Sequence, residues 1–260
     1  MRTKTQIVIM LFSCIMLWKS AMGHEPIYGL GPETLSMHLS GIEFGSHFFQ
    51  SETEYYLAYS YGINQNWTIG AKFPFISSGS QFGFGNMLIK IKYALWRKTQ
   101  PGAIKRLTAI AAVKLPTSDR SQNLSTNITA ATLGLANGYE SRRWYYFSSV
   151  TYTFISTGNN LQQGNILNYN LAGGIRPIKT PYTKPDLVFL IELNGRYSGK
   201  SKLNNETVTQ SGGNTLAIAP GFLFSYRNLM LKGGIQFGIT NTKYISKKQT
   251  NGLISLEYHF

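Results

Sequence analysis

Hydrophobic and polar residues alternate over short segments through most of the chain. The last segment shows the pattern clearly: Ile254, Leu256, Tyr258 and Phe260 are apolar or aromatic, and the residues between them are mostly polar. Side chains of an extended strand point alternately to opposite faces. One face of this segment is therefore apolar and the other mostly polar, which suits a strand with lipid on one side and water on the other.

The same alternation predicts twelve strands from Thr34 onward, each close to the ~10 residues that a tilted strand needs to cross a bilayer. In the first strand the apolar phase shifts by one residue between Leu39 and Ile42, which predicts a β-bulge at Gly41. The predicted strands are 34–44, 52–61, 66–75, 85–96, 105–115, 128–140, 143–155, 165–177, 186–197, 214–226, 228–240 and 252–260.

The predicted connections tend to alternate between short and long. Those after the even-numbered strands, such as 62–65 and 141–142, are mostly short, whereas 116–127 and 198–213 are long. Short periplasmic turns, long outer loops and an even strand count are typical of outer-membrane barrels. The sequence thus predicts an all-β, transmembrane, antiparallel up-and-down barrel spanning 34–260, in the outer membrane of a Gram-negative bacterium. Tyr258 and Phe260 resemble the terminal assembly signal that the barrel-assembly machinery reads.

Residues 1–23 have the features of a cleavable signal peptide. A basic start is followed by an apolar core, and Ala21 and Gly23 are small residues at the −3 and −1 positions of a cleavage site. The only cysteine, Cys14, lies in a loose lipobox within this segment, which leaves lipidation as a minor alternative. The mature chain is expected to begin at His24.

Residues 24–33 are rich in glycine and proline and are not expected to form a regular strand or helix. One hypothesis is that 26–32 folds into the periplasmic mouth as a plug, with Ile27, Tyr28 and Leu30 packed inside. A disordered tail is the equal alternative.

Composition agrees with a membrane protein built from strands. Charged residues make up 14% of the chain, and tyrosine (16) and phenylalanine (15) are abundant. Without the signal peptide, 22 basic residues face 11 acidic ones. The basic residues are dispersed through apolar strands and form no nucleic-acid-binding motif, so nucleic acid is not an expected partner. Outer-membrane lipid and lipopolysaccharide are expected partners of a basic surface.

Several charged residues are predicted to line the lumen, because they alternate with the lipid-facing residues. The predicted lumen carries eight basic and four acidic residues. This positive excess would make the channel favour anions, or the charges would only stabilise a closed interior. Glu192 and Arg196 are expected to join a cross-strand ladder. The bases are Lys72, Lys90, Lys92, Arg106, Lys114, Arg176, Arg196 and Lys232; the acids are Glu54, Glu192, Glu257 and, given the bulge, Glu43.

Catalytic and metal-binding signals are weak. The four mature histidines have no zinc-ligand spacing, so neither a metal nor a cofactor is expected. His24 is expected to be a solvated end residue. His38 and Ser40 share a predicted strand face and resemble the His-x-Ser of outer-membrane lipid hydrolases. A polar pair on a lumen face is the simpler interpretation, so the chain is not expected to be an enzyme.

A set of short motifs resembles one family of outer-membrane proteins. The motifs occur in order as 27–32 (IYGLGP), 83–86 (GFGN), 114–117 (KLPT), 192–195 (ELNG), 220–221 (PG) and 233–236 (GGIQ). Together they are similar to the transporter-like proteins grouped under phenol meta-pathway degradation, relatives of long-chain fatty acid channels. Asn86 and Ser118 depart from the family pattern, where Asp and Gly are common.

The resemblance implies a channel for small organic, often hydrophobic, compounds, and the basic lumen adds anions to the expected solutes. The solute itself is undetermined. Two alternatives stay open on the sequence. One is a structural or surface-interaction barrel that acts through its extracellular loops, and the other is a lipid hydrolase that uses His38 and Ser40.

Overall fold

A computed structural model describes residues 23–118, 128–158, 161–178, 184–204, 206–240 and 249–260. Twelve long strands pair in chain order as an antiparallel ring, and the last strand pairs with the first. The predicted barrel fold is therefore confirmed. The strands are β1 Ser40–Phe48, β2 Thr53–Gly62, β3 Trp67–Ser78, β4 Leu88–Gln100, β5 Ala103–Lys114, β6 Ala130–Ser141, β7 Trp144–Ile155, β8 Ile166–Ile175, β9 Asp186–Ser198, β10 Gly213–Tyr226, β11 Leu229–Gly238 and β12 Thr250–His259.

The ring closes where β1 pairs with β12. Their register runs without a break from Gly41 opposite His259 to Phe48 opposite Gly252. Beyond the strand end, Ser40 and Phe260 exchange backbone hydrogen bonds of 2.8 and 2.9 Å. Each of the twelve strands in the described ranges therefore pairs on both sides, as a barrel wall in lipid requires.

Short turns and long loops lie at opposite ends of the barrel. The short connections are 63–66, 101–102, 142–143 and 227–228, with 176–185 as a longer exception. The turns at 101–102 and 227–228 each hold a residue with positive φ, Gly102 (75°) and Arg227 (55°). The turn predicted at 97–104 is shorter than expected because β4 continues to Gln100. By the usual wiring of such barrels, this end is periplasmic.

At the opposite end, the long loops carry short strands of their own. Gln81–Phe84 pairs with the end of β3. Four two-residue strands from two different loops form a small second sheet, namely Thr157–Gly158, Leu161–Gln162, Lys202–Leu203 and Glu206–Thr207. Within the described ranges, no helix is long and apolar enough to cross a membrane.

The prediction for the first strand was wrong. Strand β1 begins at Ser40, and its pairing with β2 shows no register shift, so there is no bulge at Gly41. The apolar phase changes after Leu39 because the residues before it precede the strand. The register shift lies instead between Ala94 and Trp96 on β4. There Leu95 is 50% exposed and Trp96 is 46% exposed, so two consecutive side chains point outward.

The interior of the barrel contains an apolar cluster that the sequence interpretation missed. Side chains from β7 to β10 form it together with Ile27, which precedes the barrel: Tyr145, Phe147, Ala172, Val188, Leu190 and Leu223. A mostly polar lumen was expected. The run 187–191 (LVFLI) is apolar at every position, and this pattern is typical of a strand that buries both faces.

Candidate functional site

Residues 23–35, here called the lumen segment, lie inside the barrel and carry few exposed side chains. Ile27 is 5% exposed and packs in the apolar cluster. The barrel wall opposite Ile27 holds Gly221 and Gly234; a β-carbon at Gly221 would collide with the Ile27 side chain. The two glycines on β10 and β11 thus leave the space that Ile27 occupies.

The carboxylate of Glu192 on β9 binds three consecutive backbone amides of the lumen segment. The amide of Ile27 donates to one oxygen, and those of Tyr28 and Gly29 donate to the other at 3.1 Å each. Glu192 is fully buried. Backbone amides that converge on one anion form a binding concavity, and here a side chain of the barrel wall fills it.

Tyr28, in the middle of the lumen segment, binds the barrel wall. Its hydroxyl group lies 2.9 Å from the carbonyl oxygen of Gly234 and 3.2 Å from that of Asn251. Both acceptors belong to the wall strands β11 and β12. The Tyr28 hydroxyl therefore attaches the lumen segment to the barrel wall.

Lys92 on β4 binds the following part of the lumen segment. Its ammonium group donates to the carbonyl oxygens of Gly31 (3.0 Å) and Glu33 (3.1 Å) and forms an ion pair with Glu25. On β5, the Thr108 hydroxyl donates to the carbonyl oxygen of Pro32 at 2.6 Å. These contacts hold backbone carbonyls that have no strand partner.

A polar cluster surrounds the start of the segment. The backbone amide of His24 donates to Glu140 at 2.9 Å, and the His24 ring nitrogen Nδ1 lies 3.1 Å from the same carboxylate. Arg106 pairs with Glu140 and, at 2.7 Å, with Glu33. His24 is only 6% exposed, so the expectation of a solvated end residue was wrong. Its ring is buried because wall carboxylates bind it.

The predicted lumen residues fall into paired and unpaired groups. Three ion pairs contain five of the predicted bases and acids: Lys72 with Glu54 (2.6 Å), Lys232 with Glu43 (2.8 Å) and Glu257 with His259 (2.6 Å). Arg176 pairs with Asp186. Within the described ranges, Lys90, Lys114 and Arg196 form no ion pair.

Two expectations about lumen charge fail. Glu192 does not join a ladder with Arg196, because its carboxylate binds the lumen segment instead. The predicted excess of four bases is largely cancelled by four carboxylates that were not counted, which are Glu25, Glu33, Glu140 and Asp186. Two of these belong to the lumen segment, whose placement the wall alternation does not reveal.

The lumen segment separates two cavities. On the side of the long loops lies the outer vestibule, a cavity of about 770 Å³ with Tyr28 and Leu30 among its lining residues. On the other side lies the periplasmic cavity, of about 60 Å³, between Lys90 and Lys92 on β4 and the periplasmic end of β12. The segment is thus a partition across the barrel.

The proposed catalytic pair is not assembled. The ring nitrogen Nδ1 of His38 lies 2.8 Å from the Tyr61 hydroxyl, and the Ser40 hydroxyl lies 3.0 Å from that of Tyr59. Tyr59 and Tyr61 alternate with the inward side chains of β2, so these two hydroxyl partners of His38 and Ser40 lie on the outer face of the barrel. The geometry does not support the hydrolase alternative.

Comparison with known protein families decides the relationship. Residues 35–251 match the family described as "Putative MetA-pathway of phenol degradation". The chain belongs to this family. The resemblance predicted from the short motifs is therefore confirmed. No curated protein is significantly similar to the chain in sequence.

Solved structures share the fold at low sequence identity. An outer-membrane channel from Pseudomonas putida F1 aligns with a TM-score of 0.70 at 13% identity, over 92% of this chain and 100% of that one. The NanC porin aligns with a TM-score of 0.50 at 10% identity, over 84% and 98% of the two chains. The KdgM porin, solved with disordered oligogalacturonate, gives 0.50 at 10% identity, over 85% and 99%. The fold is that of outer-membrane channels and porins.

Proposed function

We propose that the protein is an outer-membrane channel for small organic compounds, and that the lumen segment is its plug. The observation that carries the proposal is the partition: residues 23–35 separate the outer vestibule from the periplasmic cavity. The family and the channel-like fold support passage of solutes through the barrel. The protein acts by transport and not by catalysis.

The contacts of the plug suit reversible opening. The segment buries the apolar side chains of Ile27, Pro32 and Leu35. Its remaining contacts are hydrogen bonds and ion pairs, through Glu192, Lys92 and Arg106. Water entering the lumen can replace such partners, because a hydrogen bond to water is nearly equivalent. No strand pairing of the wall has to break when the segment leaves. We place the protein in the outer membrane, reached through the signal peptide at 1–23; residues 1–22 of that peptide lie outside the described residues.

A reversible crosslink tests the gate. A β-carbon at Gly29 would lie 3.3 Å from that of Asn170 on β8, close to the ~3.5–4.5 Å of a disulfide. The double variant Gly29→Cys with Asn170→Cys is expected to lock the plug to the wall when oxidised. In planar bilayers, oxidation should abolish the single-channel current, and dithiothreitol should restore it.

Two further variants complete the experiment. Gly29→Cys alone should conduct equally in both redox states, which excludes an effect of the reagents. Deletion of residues 24–32 should give a larger current that no oxidant closes. A current through the oxidised double variant equal to that of the wild type would show that the segment does not gate the pore.

A further inference from the structure

The outer vestibule contains one charged side chain among its described lining residues, Arg196 on β9. No carboxylate pairs with Arg196 in the part of the chain that the structure describes. Lys114 on β5 lies near enough to Arg196 for the two cations to repel each other. An arginine in a concave site without an acidic partner favours a bound anion. Its planar guanidinium matches a carboxylate in a bidentate geometry.

A ladder of side-chain amides lies beside Arg196 on the vestibule wall. Asn251 donates to Gln236 (3.1 Å), Gln236 to Asn194 (2.9 Å), and Asn194 to Asn170 (3.1 Å). Asn170 donates in turn to Ser149 at 3.1 Å. The ladder fixes the orientation of each amide. Because an amide nitrogen carries two hydrogens, Asn170, Gln236 and Asn251 each keep one donor for a ligand.

Aromatic side chains supply the apolar part of the vestibule. The rings of His47 and Phe49 lie 4.0 Å apart between centroids, and Tyr28 lies 5.7 Å from His47. Leu30 adds an aliphatic surface. The cavity volume of about 770 Å³ lies within the range of small-molecule sites, ~300–1,000 Å³. One cation, oriented amide donors and an aromatic surface together match a small amphiphilic anion.

We propose that the outer vestibule is a binding site for a small aromatic carboxylate. Arg196 binds the carboxylate, the free amide hydrogens of the ladder add hydrogen bonds, and the ring packs against Tyr28, His47 and Phe49. The inference rests on the proposed channel function and names the solute class that the channel selects. The site lies above the plug, so it is complete while the lumen is closed.

Equilibrium binding to the purified full barrel tests the site without requiring flux. The probe is 4-fluorobenzoate, followed by fluorine NMR in detergent micelles, and its neutral analogue 4-fluorobenzamide is measured in parallel. We expect saturable binding of the carboxylate and binding of the amide that is weaker by about tenfold or more, as for loss of a hydrogen-bonded charge. Arg196→Gln should remove the same factor, and Arg196→Lys should restore part of it.

Lys114→Gln is the matched control, because it removes one positive charge from the same lumen outside the vestibule lining. It should lower affinity much less than Arg196→Gln. Each variant must retain heat-modifiable mobility as a sign of a folded barrel. If Arg196→Gln and Lys114→Gln lose affinity for the carboxylate equally, the overall positive charge of the lumen explains the binding, and the site is overturned. Equal binding of the carboxylate and the amide, or no saturable binding by the wild type, would also overturn it. An unchanged current through the oxidised crosslink variant would instead refute the gate, and it would leave the binding result unaffected.

Discussion

Glu192 offers the sharpest test of how the plug is held. The substitution Glu192→Gln keeps the shape of the side chain and removes its charge. The wild-type carboxylate accepts from the amides of Ile27, Tyr28 and Gly29. A glutamine has one accepting oxygen, which can retain the bonds from Tyr28 and Gly29. Its NH₂ group then faces the amide of Ile27, and that bond is lost.

The magnitude follows from the number and kind of bonds. A hydrogen bond to a charged acceptor contributes ~1.5–3 kcal/mol and one to a neutral acceptor ~0.5–1.5 kcal/mol. Taken at matching ends of these ranges, the replacement of three bonds of the first kind by two of the second weakens the closed state by roughly 3.5–6 kcal/mol. The ratio of open to closed channels should therefore rise by about 300- to 20,000-fold.

Open probability in single-channel recordings measures this ratio directly. The control is Glu54→Gln, another lumen carboxylate, which pairs with Lys72 at 2.6 Å and does not contact the plug. Glu192→Gln should raise open probability with little change in the current of the open state, whereas Glu54→Gln should leave open probability unchanged. Equal open probability in Glu192→Gln and wild type would refute the role of these three bonds.

Four further predictions concern the same structure. Gly221→Leu should displace Ile27, because even a β-carbon at Gly221 collides with its side chain, and a current no larger than that of the wild type would contradict this packing. Deletion of Phe260 should reduce heat-modifiable barrel in the outer membrane, because Phe260 closes the seam with Ser40; normal assembly would count against it. Deleting residues 24–33 removes Glu25 and Glu33 and should make the open channel more anion-selective by reversal potential, and Lys90→Glu with Lys92→Glu should oppose that change. Cleavage after Gly23 should place the new amino group of His24 against Glu140, and amino-terminal sequencing of the mature protein checks the cleavage site.

Alternation of apolar and polar residues was sufficient to predict the wall of the barrel. A residue in a barrel strand faces either lipid or the lumen, so the two-residue period carries the information locally. This is why the twelve strands, the closing strand that ends at Phe260 and the family relationship were predicted from the sequence. The same period predicted that four charged side chains point into the lumen, and all four are buried: Lys92, Arg106, Glu192 and Lys232.

The contents of the lumen depended on the tertiary structure. Glu192 meets the amide of Ile27 across 165 residues, and Lys92 meets the carbonyl of Gly31 across 61. No local pattern records such contacts, because the lumen segment has no regular period and its partners come from different strands. Hence the expected cross-strand ladder with Glu192 and Arg196 was wrong, and the four additional carboxylates were missed. The sequence determined the wall because each strand's environment is set by its own alternation. Only the closed fold decided what fills the barrel, because closure brings the lumen segment against strands that are distant in the chain.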